Sequence, residues 1–125
     1  MTTSPPEIHR PSFSASTTTV GSQLRLRLDG SADTEVVAEL ASFLGNVHAV
    51  AQTRGVKEVV VDLRELFFMT SSCFKCFITW VSSIEELEES KRYGVHLEAN
   101  ANLHWQRRSL DALRNFSTNV VTLGI

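Results

Sequence analysis

Residues Lys57–Ser83 read KEVVVDLRELFFMTSSCFKCFITWVSS, and the fold turns on how that stretch divides. Val59, Val60, Val61 and Leu63 form a short run rich in β-branched side chains, the composition of a central strand covered on both faces. Beyond Thr70-Ser71-Ser72 the period changes. Phe74, Phe77, Ile78, Val81 and Ile84 recur three and four residues apart, which lines one face of a helix and would waste most of that apolar area in a strand. The polar triplet therefore marks a strand-to-helix junction. Ser71 or Ser72 is the expected N-cap, its hydroxyl accepting a bond from an otherwise unpaired backbone N–H. Leu63, Phe77 and Val81 are expected to join the strand to the helix in the core.

Toward the N-terminus, Met1–Ser12 holds all three prolines and few apolar side chains, so it is expected to be a disordered tail, with the domain running from Phe13 to Ile125. Phe13–Val20 and Gln23–Leu28 read as strands joined by Gly21-Ser22 in an antiparallel hairpin. In the second, Leu24, Leu26 and Leu28 alternate with Arg25 and Arg27, which puts the leucines on the core and the arginines on the opposite face. LDGSADTEVVAEL then turns through Gly30 into a helix, with Ser31, Asp33 or Thr34 as N-cap and Glu35 near the positive dipole end. Val36, Leu40, Phe43, Leu44 and Val47 form its buried stripe, and Gly55 closes it. His48 lies just beyond the stripe without an acidic or cysteine neighbour in sequence, which reads as a structural histidine.

Toward the C-terminus, the helix opened at Ser72 is expected to run to Lys91-Arg92 at its negative end, with Gly94 as left-handed cap. The glutamates between them suit a solvated face or an acidic docking rim. Val95, Leu97 and Ala99 alternate as a strand. A third helix follows Asn100 and Asn102, with Leu103, Leu110, Leu113 and Phe116 as its apolar stripe. Trp105 fits that stripe poorly and suits either a binding hot spot beside Arg107 and Arg108 or packing under a loop. NVVTL, from Asn119, is the last strand. Strands alternating with helices imply a single α/β domain: a mostly parallel sheet with right-handed crossovers, an N-terminal antiparallel hairpin and three helices.

Composition excludes several functions. At 125 residues and 42% hydrophobic content there is room for one domain. A net charge of −2 supplies no general attraction for nucleic acid. No apolar run is long enough to span a membrane and no signal-peptide pattern opens the chain, so a cytoplasmic protein with both cysteines reduced is expected. Cys73-Phe74-Lys75-Cys76 at a helix start has the placement of a thioredoxin-like dithiol, although no proline follows Pro11 to sit beside it. The pair supplies only two ligands for zinc, and His48, His96 and His104 match no finger spacing. Neither a Gly-x-Ser-x-Gly elbow nor a Gly-rich phosphate loop is present. No enzymatic activity, metal or cofactor is expected.

FFMTSSCFKCFI after VVVDLRE resembles the signature of the STAS family, the anti-sigma-factor antagonists. In that family a hydrophobic strand leads through an Asp-Ser-Ser-Gly turn into a helix, and a partner kinase phosphorylates the second serine. On this chain that serine is Ser72 and its predecessor Ser71, while Thr70 replaces the Asp, Cys73 the Gly, and Lys75 a small residue. The family's Leu-x-Gly-x-hydrophobic-Asp segment matches Leu28 to Asp33. The resemblance implies a regulatory protein-binding module with Thr70, Ser71 and Ser72 as switch hydroxyls. It places Asp33, Cys73 and Lys75 on the partner surface and makes an anti-sigma factor or serine kinase the partner; a homo-oligomer is compatible with it. Because the replaced Gly lets a partner backbone approach closely, Cys73 is expected to obstruct that approach, which opens the alternative of an unswitched scaffold subunit. The sequence ends at Ile125 without the C-terminal helix usual in the family.

Overall fold

The computed structural model describes residues 6–124. Its strands are β1 (Ile8–Arg10), β2 (Phe13–Val20), β3 (Gln23–Ala32), β4 (Glu58–Asp62), β5 (Leu66–Met69), β6 (Gly94–Glu98) and β7 (Val121–Gly124). The helices are α1 (Val37–Arg54), α2 (Ser71–Glu85) and α3 (His104–Phe116). One sheet contains all seven strands in the order β1-β2-β3-β4-β6-β7, with β5 also paired to β3. β1, β2 and β3 are antiparallel neighbours, and β3, β4, β6 and β7 run parallel.

Each crossover advances one strand in the same direction along the sheet, and right-handed connections then leave every helix on the same side. Leu24, Leu26, Val59, Val61, Val95 and Leu97 meet the buried stripes of the three helices in one core that also holds Phe43, Leu44, Phe77, Val81 and Leu110. Leu63, Phe77 and Val81 are at most 1% exposed, as the periodicity required. The expectation of a sheet covered on both faces is corrected. Val60 points the other way, in the cross-strand row Arg25–Val60–His96–Thr122, and is shielded by the long side chains of that row.

Four local expectations also differ. The tail assigned to Met1–Ser12 includes β1, because Ile8 pairs opposite Ala15 and is buried; residues 1–5 lie outside the described residues. Gly30 is no turn but a bulge within β3, at φ 96°, where a Cβ would stand 2.2 Å from the Ser12 carbonyl oxygen. α2 stops at Glu85, and the short 3-10 turn Glu89–Lys91 follows it. Arg92 instead reaches back, its guanidinium donating to the carbonyls of Glu85 (2.8 Å) and Leu87 (3.0 Å). In the third helix Phe116 is half exposed and Gln106 takes a core position in its place, while Trp105 packs partly buried against the core.

Gln106 is fully buried and joins three segments. Its amide nitrogen donates to the carbonyls of Leu63 (2.6 Å) and Leu66 (2.9 Å), and its oxygen accepts from the Asn100 N–H (2.7 Å). A second polar chain links α1, α2 and the start of β6. The Trp80 indole donates to the Tyr93 hydroxyl at 2.9 Å, and the same hydroxyl shares a hydrogen bond of 2.6 Å with His48 Nδ1. Burial lowers the pKa of His48, which favours its neutral form.

Gln106→Leu, which keeps the volume and adds apolar surface, should nevertheless lower stability by about 2–4 kcal/mol, because the Leu66 carbonyl and the Asn100 N–H lose their bonds to it and the Leu63 carbonyl keeps only that from the Leu66 N–H; an unchanged urea midpoint would refute this. For His48 the unfolded chain takes up a proton before the folded one as pH falls. Its contribution is complete above about pH 6.5 and declines below it. His48→Asn should therefore shrink the loss of melting temperature between about pH 7.5 and pH 5, as thermal denaturation at the two pH values would reveal.

Candidate functional site

The strand-to-helix junction is assembled by a jog in the chain. β4 pairs with the first half of β3, residues Leu63–Glu65 turn, and β5 pairs with the far end of β3 at Gly30–Ala32. The last link of that pairing is the Thr70 N–H donating to the Ala32 carbonyl at 2.9 Å. Thr70 is still extended, at φ −71° and ψ 161°, and its Oγ1 accepts from the Cys73 N–H at 3.2 Å. Thr70 is therefore the N-cap, where Ser71 or Ser72 had been expected. A threonine in this place supplies the capping oxygen without a carboxylate's charge.

With the cap taken by Thr70, Ser71 and Ser72 lie in the first turn of α2 with exposed side chains. No acidic residue occupies that turn, so the positive end of the helix dipole has no anionic side chain of its own. Cys73 turns inward. It is completely buried, and its thiol donates to the Asp33 carbonyl at 3.4 Å, docking α2 on the short 3-10 turn Thr34–Val36. This corrects two expectations, since Cys73 neither obstructs an approaching backbone nor offers its side chain to a partner. Asp33 stands beside the junction, its carboxylate accepting from the Glu35 N–H at 3.0 Å.

Lys75 is exposed one turn further along α2 and enters no ion pair among the described residues. Ser72 and Lys75 stand at one end of a groove between α1 and α2, of about 330 Å³, which runs to His48 and Ser83. Cys76 lines it half-buried, and burial together with the neighbouring Cys73 pushes its thiol pKa up. A thiolate is thus disfavoured, the opposite of what dithiol redox catalysis requires.

The structure thus joins Thr70, Cys73 and Asp33 by hydrogen bonds and Ser72 to Lys75 by a shared groove. Two features escaped the sequence reading. Phe67 and Phe68 are consecutive on β5 yet both exposed, at 55% and 48%, because the register shifts at their pairing with β3 while Leu66 and Met69 face inward. Two adjacent aromatic residues just before a polar break were the available signal. The other is a polar cleft of about 520 Å³ at the carboxyl end of β4 and β6, lined by Arg27, Asp62, Arg64 and Asn100. There Arg64 grips Asp62 through two bonds of 3.0 and 2.8 Å and holds its carboxyl below the usual range. Arg27 is engaged by Asp29, so the arginines of the cleft are already paired.

No family model and no curated protein matches the sequence. Among solved structures, an anti-sigma factor antagonist from Mycobacterium paratuberculosis matches 93% of this chain and 89% of its own, with a TM-score of 0.67 at 17% identity. The helix-on-one-face sheet, the antiparallel strands at its N-terminal edge and the strand-to-helix junction together give this chain the STAS fold.

Proposed function

We propose that this chain is a non-enzymatic regulatory module that binds a protein partner through the surface around Thr70–Lys75 and releases it when Ser72 is phosphorylated. The observation that carries the reading is the separation of cap from candidate switch: Thr70 holds the helix end, which leaves the Ser72 hydroxyl exposed and without a hydrogen-bond partner among the described residues. The similar structure is that of an anti-sigma factor antagonist, which favours an anti-sigma factor or a serine kinase as partner. A cytoplasmic location fits such a partner. Asp33, Ser71 and Lys75 belong to the same surface.

The switch is electrostatic. A phosphate adds roughly −1.5 to −2 charge at pH 7. In the free protein it is stabilised by the N-terminal end of α2 and by Lys75 one turn away. Against a closely packed partner the same charge must be desolvated or repelled, and the complex dissociates. The scaffold alternative draws on Thr70, which stands where the family carries an acid; under it binding is constitutive and Ser72 unmodified.

Ser72→Ala should leave stability within about 0.5 kcal/mol of wild type, whereas Thr70→Ala should lose about 1 kcal/mol, because only Thr70 caps the helix. Ser72→Asp should remain folded yet weaken binding of the partner recovered from native extract by at least about tenfold, while Ser72→Ala binds it and takes up no phosphate by intact mass. Equal affinity of the wild type and both Ser72 variants, with no phosphate on Thr70, Ser71 or Ser72, would leave the scaffold reading standing instead.

A further inference from the structure

We infer that the groove between α1 and α2 seats a partner α-helix that is apolar along one face and carries a carboxylate where it meets Lys75. The inference rests on the reading of this end of the molecule as a protein-binding surface, and specifies the partner. The groove is lined by the buried Leu44 and Trp80 and by small side chains, Ala41 and Gly45 from α1 and Cys76 and Thr79 from α2. From Val37 to His48 it follows about 16 Å of α1, three helical turns. Ala41 and Gly45 are four residues apart and exposed, which lets a second helix approach the backbone of α1 closely. A trough of that length and floor between two helices suits the helix-in-groove mode of recognition, with anchors at one-turn spacing.

Charge decides what the occupant carries. Lys75 is the only lysine or arginine among the lining residues, none of them is acidic, and burial favours the neutral form of His48. Covering the groove takes water from Lys75, which has no ion-pair partner among the described residues, and an anionic group on the occupant compensates best for that loss. A second copy docking groove to groove brings another lysine and no acid, because a two-fold interface presents the same patch from both sides. The direction of the switch follows as well. Ser72 lies three residues before Lys75 on the same helix face, so a phosphate there takes the lysine for itself and repels the partner's carboxylate.

The test is a displayed library of helical peptides, randomised along one face and selected on the unphosphorylated wild-type protein. Recovered peptides should share an apolar stripe with Asp or Glu at one end. Gly45→Leu adds a bulky side chain at a groove position where a Cβ meets no atom within 4 Å, and should keep its melting temperature while losing about tenfold or more in peptide affinity. Lys75→Glu should reverse the preference from acidic to basic peptides. Peptides that bind Gly45→Leu as well as wild type, or that show no acidic enrichment, overturn the proposal. So does an acyl chain found on the purified protein by native mass spectrometry and absent from Gly45→Leu, or a dimer that only this variant abolishes in sedimentation. If Ser72→Asp weakens the native partner while Gly45→Leu does not, the groove assignment fails and the switch stands; the converse sustains the groove and removes the switch.

Discussion

The carbonyls of Leu63 and Leu66 sit at the jog between β4 and β5, and the buried amide of Gln106 satisfies both. The arrangement of the functional end depends on that amide. A strand that simply continued past Asp62 would stay beside the first half of β3. The jog instead carries Leu66–Met69 to the far end of β3, with the Gly30 N–H donating to the Glu65 carbonyl and the Thr70 N–H to the Ala32 carbonyl. Turning a chain inside a sheet leaves backbone groups without ladder partners, and in a dry interior such groups must be paired or the turn will not persist. Because Gln106 also accepts from the Asn100 N–H, the end of β6 and the start of α3 are tied to the same point.

The two faces of the sheet differ in what they leave available. On the helix-free face, charged and polar side chains are matched within the molecule: Arg25 with Glu98 at 2.7 Å, Gln23 with Glu58 at 2.8 Å, His96 with Thr122 at 2.7 Å. Each such half-exposed pair adds little to stability, but the Arg25–Glu98 pair, with Arg27 held by Asp29, occupies arginines that an acidic partner would otherwise find. On the helix face the situation is reversed. Lys75, on α2, has no ion-pair partner among the described residues.

Helical geometry distributes the four residues of the junction among different tasks. Thr70 precedes the helix and caps it, Cys73 falls on the inward side and anchors it to the Asp33 carbonyl, and Ser71 and Ser72 project into solvent between them. The cap is an uncharged hydroxyl, and no acidic side chain of α2 itself stands in its first turn to compete with an incoming anion. Stability and recognition thus rest on different side chains within a single turn.

How much of this was legible follows from the range of each interaction. Periodicities of two and of three to four reveal which faces are apolar, so β2, β3, β4, α1, α2 and the stripe of Val36, Leu40, Phe43, Leu44 and Val47 could be read directly. The junction at Thr70–Ser72 was legible because the period changes across it. Choices between neighbouring residues were not: whether Thr70 or a serine caps α2 depends on which residue is held extended by the Ala32 carbonyl, a contact across 38 positions of sequence. The same holds for β1, which owes its place to pairing with β2, for the end of α2, where the Glu85 carbonyl accepts from Arg92, and for the inward turn of Cys73. Local pattern determined what each segment can be; only the tertiary structure, by deciding which backbone groups find partners and which side chains reach water, determined where each one ends and what it exposes.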